Sequence, residues 1–256
     1  MLKYEFKNIV RDKMTLLLLV YPLLIILAGA YLIPALLENY ASGEGTQTTG
    51  ITVIIIVLAS IAPFITAAML GFNLLDHRDE NTLNTIRVTP LSLKGYIVFK
   101  GVYGYTLSVF ASFFSLFGVK HLSGEGYTLG GVNLWDSFVW SDMLVFALVA
   151  SLFTPLFALA LGALAKNKIE GFAYMKSSGL FIMAPVLAVL SSMQDYKQYI
   201  LGIVPIFWPV KGLLVSADLL SHESNLPPIL YYIIGILYMS GLTIVLYKWF
   251  EKKTQT

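Results

Sequence analysis

The chain has 256 residues, 57% of them hydrophobic and only 12% charged, with a mean hydropathy of +0.75. A water-soluble domain of this length carries about twice that fraction of charge, so the composition excludes a soluble enzyme or binding module and specifies an integral membrane protein. Cysteine is absent, which removes disulfides, thiolate nucleophiles and thiolate metal sites, and the net charge of +2 becomes informative only when divided between the two faces of a membrane.

In chain order, Leu2, Phe6, Ile9 and Val10 share one side of a helix over residues 1–13, with Lys3, Lys7, Arg11 and Asp12 elsewhere. That spacing predicts an amphipathic helix lying in the membrane interface; a merely basic flank to the first span would use the same residues. Met14–Leu37 is the first of six apolar runs that match the ~20 helical residues needed to cross a hydrocarbon core. The others are Ile51–Leu75, Gly101–Val119, Met143–Ala165, Ser177–Met193 and Ile229–Tyr247. Ala28-Gly29-Ala30 looks like a cleavage site after a basic start, but the apolar run continues to Leu37, so a retained span is expected.

Between the first two spans, Glu38–Gly50 reads as a short loop. The connector at residues 76–100 is the longest strongly polar passage. In it Leu75, Leu83 and Ile86 share a broad helical face, and Thr89-Pro90 ends one helix and starts another. The residue before proline resists the α conformation, while Thr is a good N-cap with Pro at N1. Two short helices with a sharp corner are expected, a shape that fits a cleft on a partner; a solvated turn is the plainer alternative. Residues 120–142 form a glycine-rich loop in which Trp135 and Trp140 are expected as interface anchors, as is Trp249 at the opposite interface. Ile200–Leu220 is apolar, but Pro205, Pro209 and Lys211 interrupt it. Residues 194–228 are therefore expected to form a re-entrant segment, since broken backbone survives at membrane depth only where protein or water satisfies it.

With these six spans, 14 of the 17 basic residues fall on one face, leaving Lys120, Lys197 and Lys211 on the other. The positive-inside rule then puts both termini in the cytoplasm. The expected fold is a single all-α polytopic membrane domain over residues 1–256, with no internal repeat and no soluble module.

The missing motifs narrow the function. The chain has no G-x-x-x-x-G-K-[ST], H-E-x-x-H or G-x-S-x-G, and His77, His121 and His222 are scattered. No catalytic site, metal site or nucleotide-binding loop is expected on this chain. No carboxylate lies inside a predicted span and Asn73 is the only amide there. That weakens a proton- or sodium-coupled carrier, which places ionisable groups at the bilayer midplane.

The passage Asp79-Glu80-Asn81-Thr82-Leu83-Asn84-Thr85-Ile86-Arg87-Val88-Thr89-Pro90-Leu91-Ser92 resembles the signature of type-two ATP-binding-cassette (ABC) transporter permeases, with Asn81 where that family usually has Gly. The amphipathic start, six spans and outer segment before the last span agree with the family layout, and the short drug-export permeases are the nearest subgroup in outline. The resemblance implies a coupling helix that touches a separate ATPase subunit, carried here by Asp79, Glu80, Asn81, Thr82, Leu83, Ile86, Arg87, Thr89, Pro90 and Leu91. Asp79 and Glu80 are the expected charge contacts. ATP and Mg would be bound by that partner, and this chain would pair with a second permease copy or a sister permease in the cell membrane. Spans two and five would line a cavity offering Phe64, Met69, Asn73, Phe181 and Met183, suited to an apolar or amphiphilic drug, lipid or peptide. Pro205, Phe207, Trp208 and Pro209 would form an outer gate. The alternative is a self-sufficient carrier or channel without an ATPase; a membrane enzyme or a non-transporting sensor fits the residues less well. No nucleic-acid partner is implied.

Overall fold

The structure, a computed structural model, describes residues 13–40, 44–79, 93–193, 195–220 and 225–255. Helix α1 (Lys13–Leu27) passes through a π-helical turn, Ala28–Leu32, into α2 (Ile33–Tyr40). Then come α3 (Glu44–Asp79) and α4 (Leu93–Leu122), and a hairpin of β1 (Thr128–Leu129) and β2 (Val132–Asn133). Next are α5 (Trp140–Ala150), α6 (Phe153–Leu164), α7 (Lys168–Ser178) and α8 (Leu180–Leu187). A 3₁₀ segment, Asp195–Ile203, precedes α9 (Phe207–Ser216), and α10 (Pro228–Gln255) closes the chain.

Lipid is as apolar as leucine, so helices in a membrane associate through close packing and hydrogen bonds more than through hydrophobic burial. Helix α3 occupies the centre, packed against α6, α4 and α8, with Ile55, Ile56 and Ala67 fully buried. Two glycines set the approach distance. A Cβ on Gly71 would lie 2.7 Å from Leu161 Cδ1 of α6, and one on Gly104 of α4 would lie 2.5 Å from Leu70 Cδ2 of α3. Some hydroxyls inside the bundle are satisfied by helix carbonyls and by one another, while those of Ser108, Ser112, Ser115 and Ser151 are buried without a partner among the described residues. Thr66 donates to the Ala62 carbonyl at 3.0 Å, and Tyr21 of α1 meets Thr66 Oγ1 at 2.6 Å. Thr154 of α6 donates to the carbonyl of Pro63 at 3.3 Å.

Among the described residues, five helical stretches are long and apolar enough to cross a membrane: Val20–Leu37, Thr48–Asp79, Lys94–Leu122, Trp140–Leu164 and Pro228–Glu251. The expected fifth span, Ser177–Met193, arrives instead in two pieces, α7 and α8, meeting at Gly179. Lys176-Ser177-Ser178-Gly179 gives weak helical preference at the junction, and past Leu187 the backbone tightens into turns on the Pro185, Val186 and Leu187 carbonyls. The loop expected at Glu38–Gly50 is also shorter than its composition suggests. Helix runs to Tyr40 and resumes at Glu44, and Thr52 turns its hydroxyl back onto the Thr48 carbonyl at 2.9 Å.

The loop at 120–142 is folded rather than slack. Gly130 and Gly131, at φ +57° and +82°, form the two-residue turn of the β1–β2 hairpin, a geometry glycine reaches without strain. The Tyr127 hydroxyl donates to the Gly29 carbonyl at 2.5 Å, so the loop is tied to the π-turn of the first span. Burial pushes the Tyr127 phenol pKa upward, keeping it a donor. Trp135 is not the interface anchor its residue type suggested. It is 1% exposed, held edge-on to Tyr127 and against Phe138 with ring centroids 5.9 and 5.4 Å away. Trp140 and Trp249 are exposed, as an anchor must be.

Candidate coupling and transport site

The last turns of α3 lead into the polar connector. Phe72 and Leu75 pack on Ala165, Phe72 meets the Phe172 ring at 4.5 Å, and Gly171 leaves no room for a Cβ beside Leu75. Past that apolar contact, Arg78 donates from Nη1 to the Gly162 carbonyl at 2.8 Å and from Nη2 to the Ala165 carbonyl at 2.5 Å. Asp76 pairs with the Lys168 ammonium. Asp79 accepts the Lys168 backbone N–H at 3.2 Å. Across the junction, Asn167 caps α7 by accepting the Glu170 N–H at 2.9 Å, and the Glu170 carboxylate accepts the Lys166 N–H at 2.5 Å.

Of the expected coupling residues, Asp79 is thus exposed yet engaged within the chain; Glu80, Asn81, Thr82, Leu83, Ile86, Arg87, Thr89, Pro90 and Leu91 lie outside the described residues. So do residues 1–12 of the amphipathic helix expected over residues 1–13.

Among the described side chains, Phe64, Met69, Asn73 and Met183 have separate surroundings within one copy of the chain. Phe64 packs on Phe157 of α6 at 5.4 Å. Met69 is buried and lies about 140° around α3 from Phe64 at 100° per residue. Asn73 accepts the Lys100 ammonium of α4 at 2.7 Å. Met183 of α8 is 43% exposed, and the Phe181 side chain lies outside the described residues. An apolar groove of about 360 Å³ does exist elsewhere, between α4, α6 and α10, lined by Val102, Tyr105, Pro155, Leu159, Ile244 and Tyr247. No expected cavity residue borders it.

The expected outer-gate residues share one compact turn. Phe207 and Pro209 are buried, and Pro205 and Trp208 half-buried. The Trp208 indole N–H donates to the Gly202 carbonyl at 2.9 Å, and its ring lies 6.4 Å from Tyr199 and 6.3 Å from Tyr231. Tyr199 and Tyr231 share a 3.2 Å hydroxyl contact, and Tyr238 of α10 donates to the Ile203 carbonyl at 3.0 Å. The stretch from Tyr199 to Trp208 is therefore clamped to α10 by aromatic side chains. On the next turn Lys211 is 1% exposed, and its ammonium has no hydrogen-bond partner among the described residues.

Sequence reasoning passed over the Arg78, Asp76 and Lys168 contacts. A signal was present. Asp76-His77-Arg78-Asp79 and Lys166-Asn167-Lys168-Ile169-Glu170 are short mixed-charge runs at the same end of neighbouring spans.

The family model described as "Fluoroquinolones export permease protein Rv2686c-like" matches residues 5–247. This chain belongs to that family of type-two ABC export permeases. Two relatives are the fluoroquinolones export permease proteins Rv2686c of Mycobacterium tuberculosis strain H37Rv and MT2760 of strain CDC 1551 / Oshkosh. Each is 26% identical over 254 residues, covering 97% of this chain and 92% of the relative. No solved structure matches the chain significantly. The protein is an export permease and a multi-pass membrane protein.

Proposed function

We propose that this permease is the membrane subunit of an ATP-driven exporter whose hydrolysis resides on a separate ABC ATPase. The observation that carries the reading is the Asp79–Ser92 motif between the second and third spans, in a permease family and on a chain lacking a P-loop of its own. The ATPase would hold ATP and Mg and act on the connector through Glu80 and its neighbours. Two permease copies, or this chain and a sister permease, would enclose the pathway, with α7–α8 together serving as a sixth crossing and both termini cytoplasmic. Closure of the ATPase subunits would shift the pair between inward-open and outward-open states.

The proposed cargo is an apolar or amphiphilic drug, with fluoroquinolones the first class to try because both relatives are named for them. Met183 on the open face of α8 is then the cavity residue best placed to meet it, together with Phe181. Phe64, Met69 and Asn73 would act from behind, through packing. The clamp around Trp208 would move as one body at the outer gate.

The test is ATP-dependent uptake of a fluorescent fluoroquinolone into inverted vesicles from cells expressing the permease with its native ATPase. Uptake that needs ATP and stops when the ATPase is removed supports the proposal. Uptake that persists with the permease alone would make it a self-sufficient carrier.

A further inference from the structure

Two consecutive residues at the end of α3 address opposite ends of a helix junction. Helix α6 stops at Leu164 and α7 starts at Lys168. A helix C-terminus leaves carbonyls without partners and carries partial negative charge; an N-terminus leaves N–H groups and carries partial positive charge. Arg78 supplies its guanidinium to the first, on the Gly162 and Ala165 carbonyls. Asp79 supplies its carboxylate to the second, on the Lys168 N–H, and Asp76 holds the Lys168 ammonium. Below them Phe72, Leu75, Ala165, Gly171 and Phe172 form an apolar contact. Asn73 also ties α3 to α4 through Lys100.

We infer that Asp76, Arg78 and Asp79 are positioning residues that carry displacement of the connector into the α6–α7 junction, and so into the helices leading to Met183. The inference rests on the ATP-driven reading above and deepens it. It also gives Asp79 an internal role, leaving the ATPase contact to Glu80 and the residues after it. The physical basis is geometric. Asp76, Arg78 and Asp79 are the first residues of the connector and still belong to α3, and charge-assisted hydrogen bonds are short and directional. Backbone atoms accept or donate three of these bonds, so the clasp grips the α6–α7 main chain as well as one side chain. A push on the connector cannot leave that junction in place without breaking them.

The experiment uses the tagged permease purified with its ATPase from native membranes and rebuilt into vesicles. The readout is fluoroquinolone molecules moved per ATP hydrolysed, for wild type, Arg78→Gln, Asp76→Lys, and the exchange Asp76→Lys with Lys168→Asp. A clasp that transmits motion predicts that Arg78→Gln and Asp76→Lys still bind the ATPase and hydrolyse ATP but lower the ratio by about fivefold or more. The exchange variant should recover most of the loss, which general damage to folding would not allow. An unchanged ratio in both single variants overturns the inference, as does an exchange variant that is folded but still uncoupled. Loss of ATPase capture in the single variants also overturns it, since these residues would then be part of the docking surface. A wild-type permease that captures no ATPase refutes the underlying reading instead, and the wild-type control separates the two failures.

Discussion

Lys211 and Trp135 show how far a residue's type can mislead about its place. Lys211 was counted among the charges of the outer face, yet it is enclosed on α9 with no hydrogen-bond partner among the described residues. A buried cation without a partner is unfavourable, and an apolar side chain of similar length removes that penalty. Lys211→Met should therefore stabilise the protein by about 2 kcal/mol, seen as a higher unfolding temperature in detergent; a lower one would mean the ammonium is held by a partner. Trp135 and Trp140 make a matched pair. Trp135→Ala should cost about 3–5 kcal/mol, because it empties the pocket between Tyr127 and Phe138. Trp140→Ala, at an exposed position, should stay within about 0.5 kcal/mol. Equal losses in the same melting assay would contradict the assignment of core to one and surface to the other. The sequence carried no warning about Trp135, because its neighbours come together only after Gly130-Gly131 turns the chain.

At the scale of elements, the apolar runs coincide with helix because a chain that crosses lipid must satisfy its backbone polar groups within its own helix. Five of the six expected runs coincide with long apolar helices. The departure at Ser177–Met193 lies where polar residues and Gly179 weaken a run whose average is still apolar. Averaging over a window hides a local break. The re-entrant reading of residues 194–228 rests on Pro205, Pro209 and Lys211, and the described residues there include a 3₁₀ segment and the short helix α9. Helix packing was less legible than helix position, since glycine marks both flexible turns and close crossings. Gly71 is a crossing. Gly71→Val would drive a branched side chain into Leu161 and toward the Ala158 backbone, costing about 1–3 kcal/mol. The check is the folded yield and melting temperature of the purified variant; wild-type values would mean that α3 and α6 are not held this closely.

For the whole molecule, the family was legible because its signature is local and unusual: a charged sequence passage with Thr89-Pro90 between two apolar runs. The transport pathway was not. In the proposed pair, a cavity between two copies would be lined by outward-facing residues such as Met183 on each, and a single chain does not distinguish those from lipid-facing ones. The internal clasp was hidden for a different reason, since three of its four bonds go to backbone atoms, which have no signature in sequence. The account as a whole stands on the claim that this permease is driven through its connector by a separate ATPase. Its most direct test is to purify the tagged permease from native membranes in mild detergent, with and without Glu80→Lys, and to identify what comes with it. The account predicts a stoichiometric ATPase bearing a P-loop with the wild type, and loss of that partner from a Glu80→Lys variant that still inserts normally. A wild-type permease that purifies alone across several gentle detergents, and moves substrate without ATP, would contradict it.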